Sequence, residues 1–239
     1  MDSKRRDDAL IYLDPHEAHT FWKALEPLSQ SGTLGEDLMA RRRIDACALS
    51  THEAAYASPT AAGLFPAWSE AMSRRVVTPL WIPGRKEPAS FKHRNQRFGE
   101  GAKPKSLCLK GISTSSTVMA NRVARRLLMH EETYPGCVVI VEGEPDFWTW
   151  CELANNKPIA VFGIHTKASW QDDVASCIPD VPVYIRTDPD GSGLKYATAI
   201  AHTLPGRELW RLALPEGSGD ENERHQKARL HDPSQHCKP

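Results

Sequence analysis

Carboxylates stand where apolar runs stop in this 239-residue chain. The run Val138-Val139-Ile140-Val141 passes directly into Glu142-Gly143-Glu144. The run Val183-Tyr184-Ile185-Arg186-Thr187 ends on Asp188-Pro189-Asp190-Gly191. A third run, LWRLALP at 209–215, is followed closely by Glu216 and Asp220. Acids gathered in one place repel one another, and without a counter-charge some must hold protons. A hard divalent cation relieves that repulsion, and Mg²⁺ binds through a few carboxylates completed by water and phosphate oxygens. The chemistry these residues suggest is therefore phosphate chemistry on a divalent cation. Asp188 and Asp190 bracket a proline, so both can leave one sharp turn. Gly191 and Gly193 open the helix expected from about Leu194, where glycine lets a phosphate or metal approach the backbone closely. Capping of that helix is the alternative role for Asp190.

These acids are far apart in sequence and can meet only if the chain builds a sheet that aligns the strand ends. From Cys137 onward, β-branched apolar runs alternate with helical patterns. The strands expected are VVIVEG, PIAVFG, VPVYIRTD and ELWRLALP, separated by helices EPDFWTWCELA, SWQDDVASCI and GLKYATAIAHTL. Such alternation gives a parallel sheet covered by helices. Functional groups in open parallel sheets collect at the carboxyl ends of the strands.

Ahead of that region, Ala18, Phe21, Trp22, Leu25 and Leu28 recur at helical spacing over 15–28. A second helix is expected from about Leu34 to Arg43, ending in the Arg41-Arg42-Arg43 cluster. Residues 50–73 read as helical or irregular. VVTPLWIPG and ASFKHRNQRF read as two strands around a Gly84-Arg85-Lys86 turn, and GEGAKPKS as a loop. TVMANRVARRLLMH reads as a helix with Met119, Val123 and Leu127 on one stripe and Arg122, Arg125 and Arg126 largely off it. Residues 101–117 are the expected hinge, with Ser113 to Thr117 as linker and helix cap. The expected fold class is α/β: a parallel sheet flanked by helices, preceded by a smaller basic α+β subdomain. The expected division is a helical region 1–73, a basic subdomain 74–130, the sheet domain 135–225 and a flexible tail 226–239.

The formal net charge is zero, but the charges are segregated. Residues 74–126 carry +11 and residues 137–220 carry −6. A basic block beside an acidic one suits a polyanion on the first and metal ions on the second; two solvated faces are the plainer alternative. The six cysteines form no C-x-x-C pair, so the spacing of a zinc ribbon is missing. No run of eighteen apolar residues suggests a membrane span, and the N-terminus lacks the apolar stretch of a secretory signal. A cytoplasmic chain with reduced thiols and no membrane partner is expected. The His225, His231, His236 and Cys237 tail is too loosely spaced for a metal site. Trp148, Trp150, Trp170 and Trp210 are expected in core packing rather than as base-stacking platforms.

VIVEGEPDF followed by YIRTDPDGSGLKYA resembles the Toprim domain, shared by DnaG-type primases, topoisomerases and some nucleases. The shared pattern is a strand-ending Glu-Gly and, two strands later, Asp-x-Asp followed by a small residue. Here these are Glu142-Gly143 and Asp188-x-Asp190, with Gly193 beyond. Asp146 is also usual in primase-type members, and LPEGSGDENE resembles the later primase segment that contributes an acid, here Asp220. FWKALEPLSQSGTLGEDLMARRRID resembles a region that precedes Toprim in phage and mobile-element primases, although Arg43-Ile44 departs from it by lacking a glycine. VVTPLWIPGRKEPASFKHRNQRFGEGAKPKS resembles the basic strand pair that holds template and nucleotide in primases.

The resemblance implies a primase-type nucleotidyltransferase that makes primers on single-stranded DNA during replication of a chromosome, phage or mobile element. It implies Mg²⁺ or Mn²⁺ as cofactor, with Glu142, Asp188, Asp190 and Asp220 as ligands and Glu142 alternatively as general base. It implies Arg94, Arg97, Lys103, Lys105 and Lys195 as bases for nucleic acid or nucleotide, and Gly143, Gly191 and Gly193 as structural glycines. The partners implied are a single-stranded template, nucleoside triphosphates and a replicative helicase. Two rivals use the same residues differently. A Toprim nuclease would cut phosphodiesters, but no G-x-x-x-x-G-K-[ST] loop of a joined ATPase is present. A non-catalytic adaptor would bind single-stranded DNA or load a helicase without metal-dependent incorporation.

Overall fold

The structure is a computed structural model that describes residues 10–30, 33–58, 75–95, 104–212 and 222–224. Two five-stranded sheets form it. The first is antiparallel in the order β1-β2-β3-β4-β5, from Leu25–Pro27, Ala55–Ala57, Val76–Leu80, Ser90–Arg94 and Ser106–Cys108. The second has the order β10-β9-β7-β8-β6, from Leu209–Arg211, Val183–Arg186, Cys137–Glu142, Ile159–Ile164 and Met119–Ala120. Its strands run parallel except β6, which is antiparallel to β8. The helices are α1 (Pro15–Lys23), α2 (Thr33–Arg42), α3 (Arg122–Leu128), α4 (Glu144–Leu153), α5 (Asp172–Ala175) and α6 (Gly191–His202).

Alternation along β7 sorts the two cores. Val138 and Ile140 face a cluster with α3, α5 and α6 that includes Leu127, Val174 and Ile200. Val139 and Val141 face the other way, onto Phe147 and Trp148 of α4 and onto Leu38, Val76 and Leu80 from the antiparallel half. A strand buried on both faces is apolar at every position, which is why β7 reads as an unbroken run. The outer face of the antiparallel sheet, with Val77 and Phe91, is covered by Ala18 of α1.

Several sequence expectations change. The first helix stops at Lys23, and residues 25–27 pair with 55–57 as strands. Pro27 explains the stop, because its ring and missing N–H are incompatible with a helix interior. Residues 55–57 are therefore strand, and residues 59–74 lie outside the described set. The region before residue 74 thus lends two strands to the sheet completed by β3, β4 and β5. Ser106, expected to end the GEGAKPKS loop, instead opens β5. The helix expected from Thr117 begins only at Arg122, because Met119 and Ala120 are claimed by the edge of β8.

Just beyond the expected hinge at 101–117, a backbone bridge joins the two sheets. The backbones of Trp81 and Val118 exchange hydrogen bonds of 2.8 and 2.9 Å. Arg125 is not a solvated base. Its guanidinium carbon sits 3.9 Å from the centre of the Trp81 ring, and burial pulls its pKa down to about 10. Trp148 and Trp170 are buried as expected, whereas Trp210 is exposed on β10. Among the described residues no helix is long and apolar enough to cross a membrane.

Asn121 shows how α3 is fixed. Its Oδ1 accepts from Ala124 N at 2.9 Å and from Val161 N at 3.1 Å, and its Nδ2 donates to the Ile159 carbonyl at 2.9 Å. The residue caps the helix and also satisfies the backbone of β8. Asn121→Ala is expected to cost about 2–4 kcal/mol, combining a lost cap with buried β8 groups left unpaired. Equilibrium urea unfolding measures this; a loss under about 0.5 kcal/mol, the range of ordinary surface substitutions, would refute it.

Candidate active site

The order β10-β9-β7-β8 contains a switch point. From β7 the chain turns to β8 on one side, then crosses back to β9 on the other and continues outward to β10. A crevice opens at the carboxyl ends of two such strands because their following connections leave in opposite directions. The register pairs Val141 with Arg186, so Glu142 emerges beside the turn that follows β9. There the Asp188 backbone N donates to Glu142 Oε2 at 3.2 Å, across 46 residues of sequence.

Two glycines make this corner possible. Gly143 takes φ +79°, a conformation that strains other residues, and turns the chain from β7 directly into α4. Gly193 packs against the acidic turn so closely that an added Cβ would lie 2.1 Å from the Asp188 carbonyl oxygen. Gly191 has no such constraint, since a Cβ there would meet nothing within 4 Å. The helix begins at Gly191 rather than near Leu194, and Asp190 caps it by accepting from Gly193 N at 2.8 Å.

A cleft of about 300 Å³ lies over this corner. Its acids are Glu142, Asp146 and Asp188, and its bases are Arg42, Arg94 and Lys105; Gly143, Pro145 and His165 complete the lining. Of the bases expected from sequence, Arg94 and Lys105 face the acids. Lys195 lines a separate cleft with Lys167, Leu194 and Tyr196. Arg97, Lys103, Glu216 and Asp220 lie outside the described residues. Asp190 does not line the acidic cleft, although its charge reaches Glu142.

Glu142 bears the electrostatic cost of this arrangement. Its pKa is raised from 4.5 to about 7, first by burial and then by the charges of Asp188 and Asp190, against the hydrogen bond from the Asp188 amide. The carboxylate oxygens of Glu142, Asp146 and Asp188 at this corner are the donor type that a hard divalent cation takes. Among the described residues no three His, Cys, Asp or Glu side chains are grouped as a ready cage. Mg²⁺ sites built from one or two carboxylates and substrate phosphates need no such cage, so the residues present fit.

Arg42, Glu144 and His165 are functional candidates that the sequence reading does not single out. Glu144 is 3% exposed. Lys92 Nζ donates to its Oε2 at 2.8 Å, and Arg94 Nη1 lies 3.6 Å from the same atom. Although burial opposes ionisation, the Lys92 and Arg94 charges hold the Glu144 pKa near 2. Arg94 also lies over the Trp148 ring, 5.7 Å from its centre. The second acid of Glu-Gly-Glu therefore docks basic strand β4 onto α4 and presents Arg94 to the cleft. His165 follows β8, with Nε2 3.0 Å from Thr117 Oγ1 and 3.1 Å from the Thr117 carbonyl. The carbonyl can only accept, which places the proton on Nε2. Burial and Lys92 lower the His165 pKa to about 4, so the ring is neutral at ordinary pH. The sequence signals were the Arg41-Arg42-Arg43 cluster and the doubled acid at 142 and 144; His165 had none.

The fold is that of DnaG-type primase catalytic cores. A DnaG catalytic core superposes with TM-score 0.60 at 14% identity, over 89% of this chain and 75% of that one. The RNA polymerase domain of Mycobacterium tuberculosis primase DnaG matches with TM-score 0.58 at 18% identity, over 91% of this chain and 79% of that one. The Aquifex aeolicus primase, in its zinc-binding and RNA polymerase domains, gives 0.59 at 18% identity over 89% of this chain. The present chain spans 57% of the length of that Aquifex structure. No family model matches the sequence, and no curated protein matches it. At these identities the likeness is one of fold.

Two measurements test the site's electrostatics. Below about pH 4.5, Glu142 is protonated in both folded and unfolded chains and carries no penalty. Between about pH 4.5 and 7 the unfolded chain has ionised while the folded one retains its proton, so stability falls as pH rises. Melting temperatures of wild type and Glu142→Gln should diverge in the variant's favour across that window and stay parallel above it. A constant difference from pH 4 to 8 would refute the shift. Separately, Lys92→Met removes the nearest cation from a buried carboxylate and should destabilise by about 3–5 kcal/mol. Chemical denaturation of Lys92→Met beside the Lys92→Met/Glu144→Gln double variant reads it, and the second change should restore part of the loss.

Proposed function

We propose that the chain is a primase-type nucleotidyltransferase, which joins nucleotides into primers on single-stranded DNA during replication of a chromosome, phage or mobile element. The observation that carries this reading is the opposition, across one cleft, of Glu142 and Asp188 to Arg42, Arg94 and Lys105. In such a reaction a 3′-hydroxyl attacks the α-phosphate of an incoming nucleoside triphosphate. Positioning and charge neutralisation dominate phosphoryl-type transfers. The three bases would neutralise the triphosphate. Glu142, with a pKa near 7, is tuned to take the hydroxyl proton near neutral pH, or to serve as a metal ligand. Glu142 and Asp188 would hold Mg²⁺ or Mn²⁺, with Asp190 and Asp220 as further candidates. A bound divalent ion would supply charge stabilisation for the attacking and leaving oxygens.

Similar folds supply the partner chemistry. One neighbour is a DnaG primase catalytic domain bound to single-stranded DNA. Another is the primase fragment of the bacteriophage T7 primase-helicase protein. By analogy, this chain would take a single-stranded template and nucleoside triphosphates and work beside a replicative helicase. The basic segment containing Arg97 and Lys103 would serve the template, and binding should weaken steeply with salt.

The deciding experiment incubates the protein with single-stranded DNA and four ribonucleotides, in Mg²⁺ and then Mn²⁺. Wild type should make short products. Asp188→Ala should reduce them at least about a hundredfold, the scale of losing a principal charge-stabilising group, while circular dichroism and template binding stay unchanged. Undiminished synthesis by the variant would remove Asp188 from the chemistry. Template binding with no incorporation by the wild type would instead favour the adaptor, and metal-dependent cleavage would favour the nuclease.

A further inference from the structure

Asn222 is wholly buried, and its hydrogen bonds converge on the candidate cleft. Its backbone N donates to Asp146 Oδ1 at 2.9 Å. Its Nδ2 donates to the Arg42 carbonyl at 3.1 Å and to Thr149 Oγ1 at 2.9 Å. Its Oδ1 accepts from Arg42 Nη1 at 3.3 Å. Thr149 passes its own hydroxyl hydrogen to the Pro145 carbonyl at 2.8 Å. Arg42, Pro145 and Asp146 all line the cleft. One residue therefore joins the end of α2 to the first two turns of α4, its backbone N–H reaching Asp146 and its side chain reaching Thr149 and, across 180 residues, Arg42.

The chemistry is specific to an amide. A single side chain must give two N–H donors and accept from a guanidinium, which asparagine does and aspartate, serine or leucine do not. The network also fixes which way the amide points. Turned over, its oxygen would face the Arg42 carbonyl and its NH₂ the guanidinium, both repulsive. Arg42 is held at its backbone and at its charged end by the same residue, so its approach to the cleft is set before any ligand arrives. A pre-oriented guanidinium loses less freedom on binding an anion than a mobile one.

We infer that Asn222 is a positioning residue that presents Arg42 to the polyphosphate of a ligand in the cleft. The inference rests on reading the cleft as a nucleotide site, but it can be tested without primer synthesis. Sodium tripolyphosphate is titrated calorimetrically into the intact chain, its Asn222→Leu and Arg42→Ala variants, and the double variant. Asn222→Leu should weaken binding about tenfold, the scale of one charge-assisted hydrogen bond. Arg42→Ala should do the same, and the double variant should lose no more than Arg42→Ala alone. In a nucleotide assay, Asn222→Leu should raise KM by a similar factor with kcat within about twofold, as for a group that contributes only uniform binding.

Losses that multiply in the double variant, or unchanged affinity in Asn222→Leu with a lowered melting temperature, would make Asn222 a structural peg and overturn the inference. Should Asn222→Leu fail to fold, Arg42→Lys decides, because it sits at a partly buried position at the cleft wall and keeps the charge. Positioning through the guanidinium predicts nearly the full tenfold loss there, and wild-type affinity would overturn it. No tripolyphosphate binding by the wild type would also overturn it. Binding that behaves as expected in a chain that makes no primers would sink the synthesis reading and leave the role of Asn222 standing.

Discussion

The parallel pairing of β7 with β9 is the constraint on which the candidate site depends. It brings the ends of two apolar strands side by side, and each end carries an acid. Those acids would separate in water. They stay together because every residue of β7 between its two ends is buried, and sliding the register would move that apolar set out of its cores. Hydrophobic burial along the strands thus supports electrostatic repulsion at their tips; the pKa of Glu142 is raised first by its own burial and then by the charges of Asp188 and Asp190. In the proposed reading, a bound divalent cation would remove the unfavourable part of this arrangement without disturbing the packing beneath it.

The antiparallel half answers the same charge from the other side. Its strand β4 carries Lys92 and Arg94 to the first turn of α4, where buried Glu144 binds both. This interaction is valuable chiefly for geometry, since burying ions has a large desolvation cost that their attraction only partly repays. Its effect is to set a basic strand over an acidic sheet edge. The Trp81–Val118 backbone bridge and Arg125 stacked on Trp81 fix the same two halves elsewhere along the seam. The cleft is therefore a product of both sheets, with Lys105 and Arg94 from one and Glu142 and Asp188 from the other.

Much of this was legible in the residues. The alternation of strands and helices after Cys137 appears in the fold because strands buried on both faces must be apolar, and that pattern is hard to mistake. Glu142, Gly143, Asp188 and Gly193 were legible because they stand where such strands stop. The short elements were not. β1, β2, β5 and β6 each span two or three residues, too few for a period to show, and they exist because a neighbouring strand offers hydrogen bonds. Asp190 was ambiguous from the start, and its observed bond is the helix cap. Lys195 follows the acidic turn in sequence, yet the helix carries it to another cleft, since proximity along a helix does not preserve direction in space.

The sequence by itself determined the parallel α/β region and the strand-end acids, together with the separation of basic from acidic segments. These are local properties: hydrophobic period, turn residues and charge are written in consecutive positions. Only the tertiary structure decided that Glu144 would be a buried anchor, that His165 would be neutral in the cleft wall, and that Arg42 and Asn222 would meet. Contacts between residues so far apart in the chain depend on the order in which strands join a sheet and on how two sheets face each other, and neither is encoded in the spacing of any one segment.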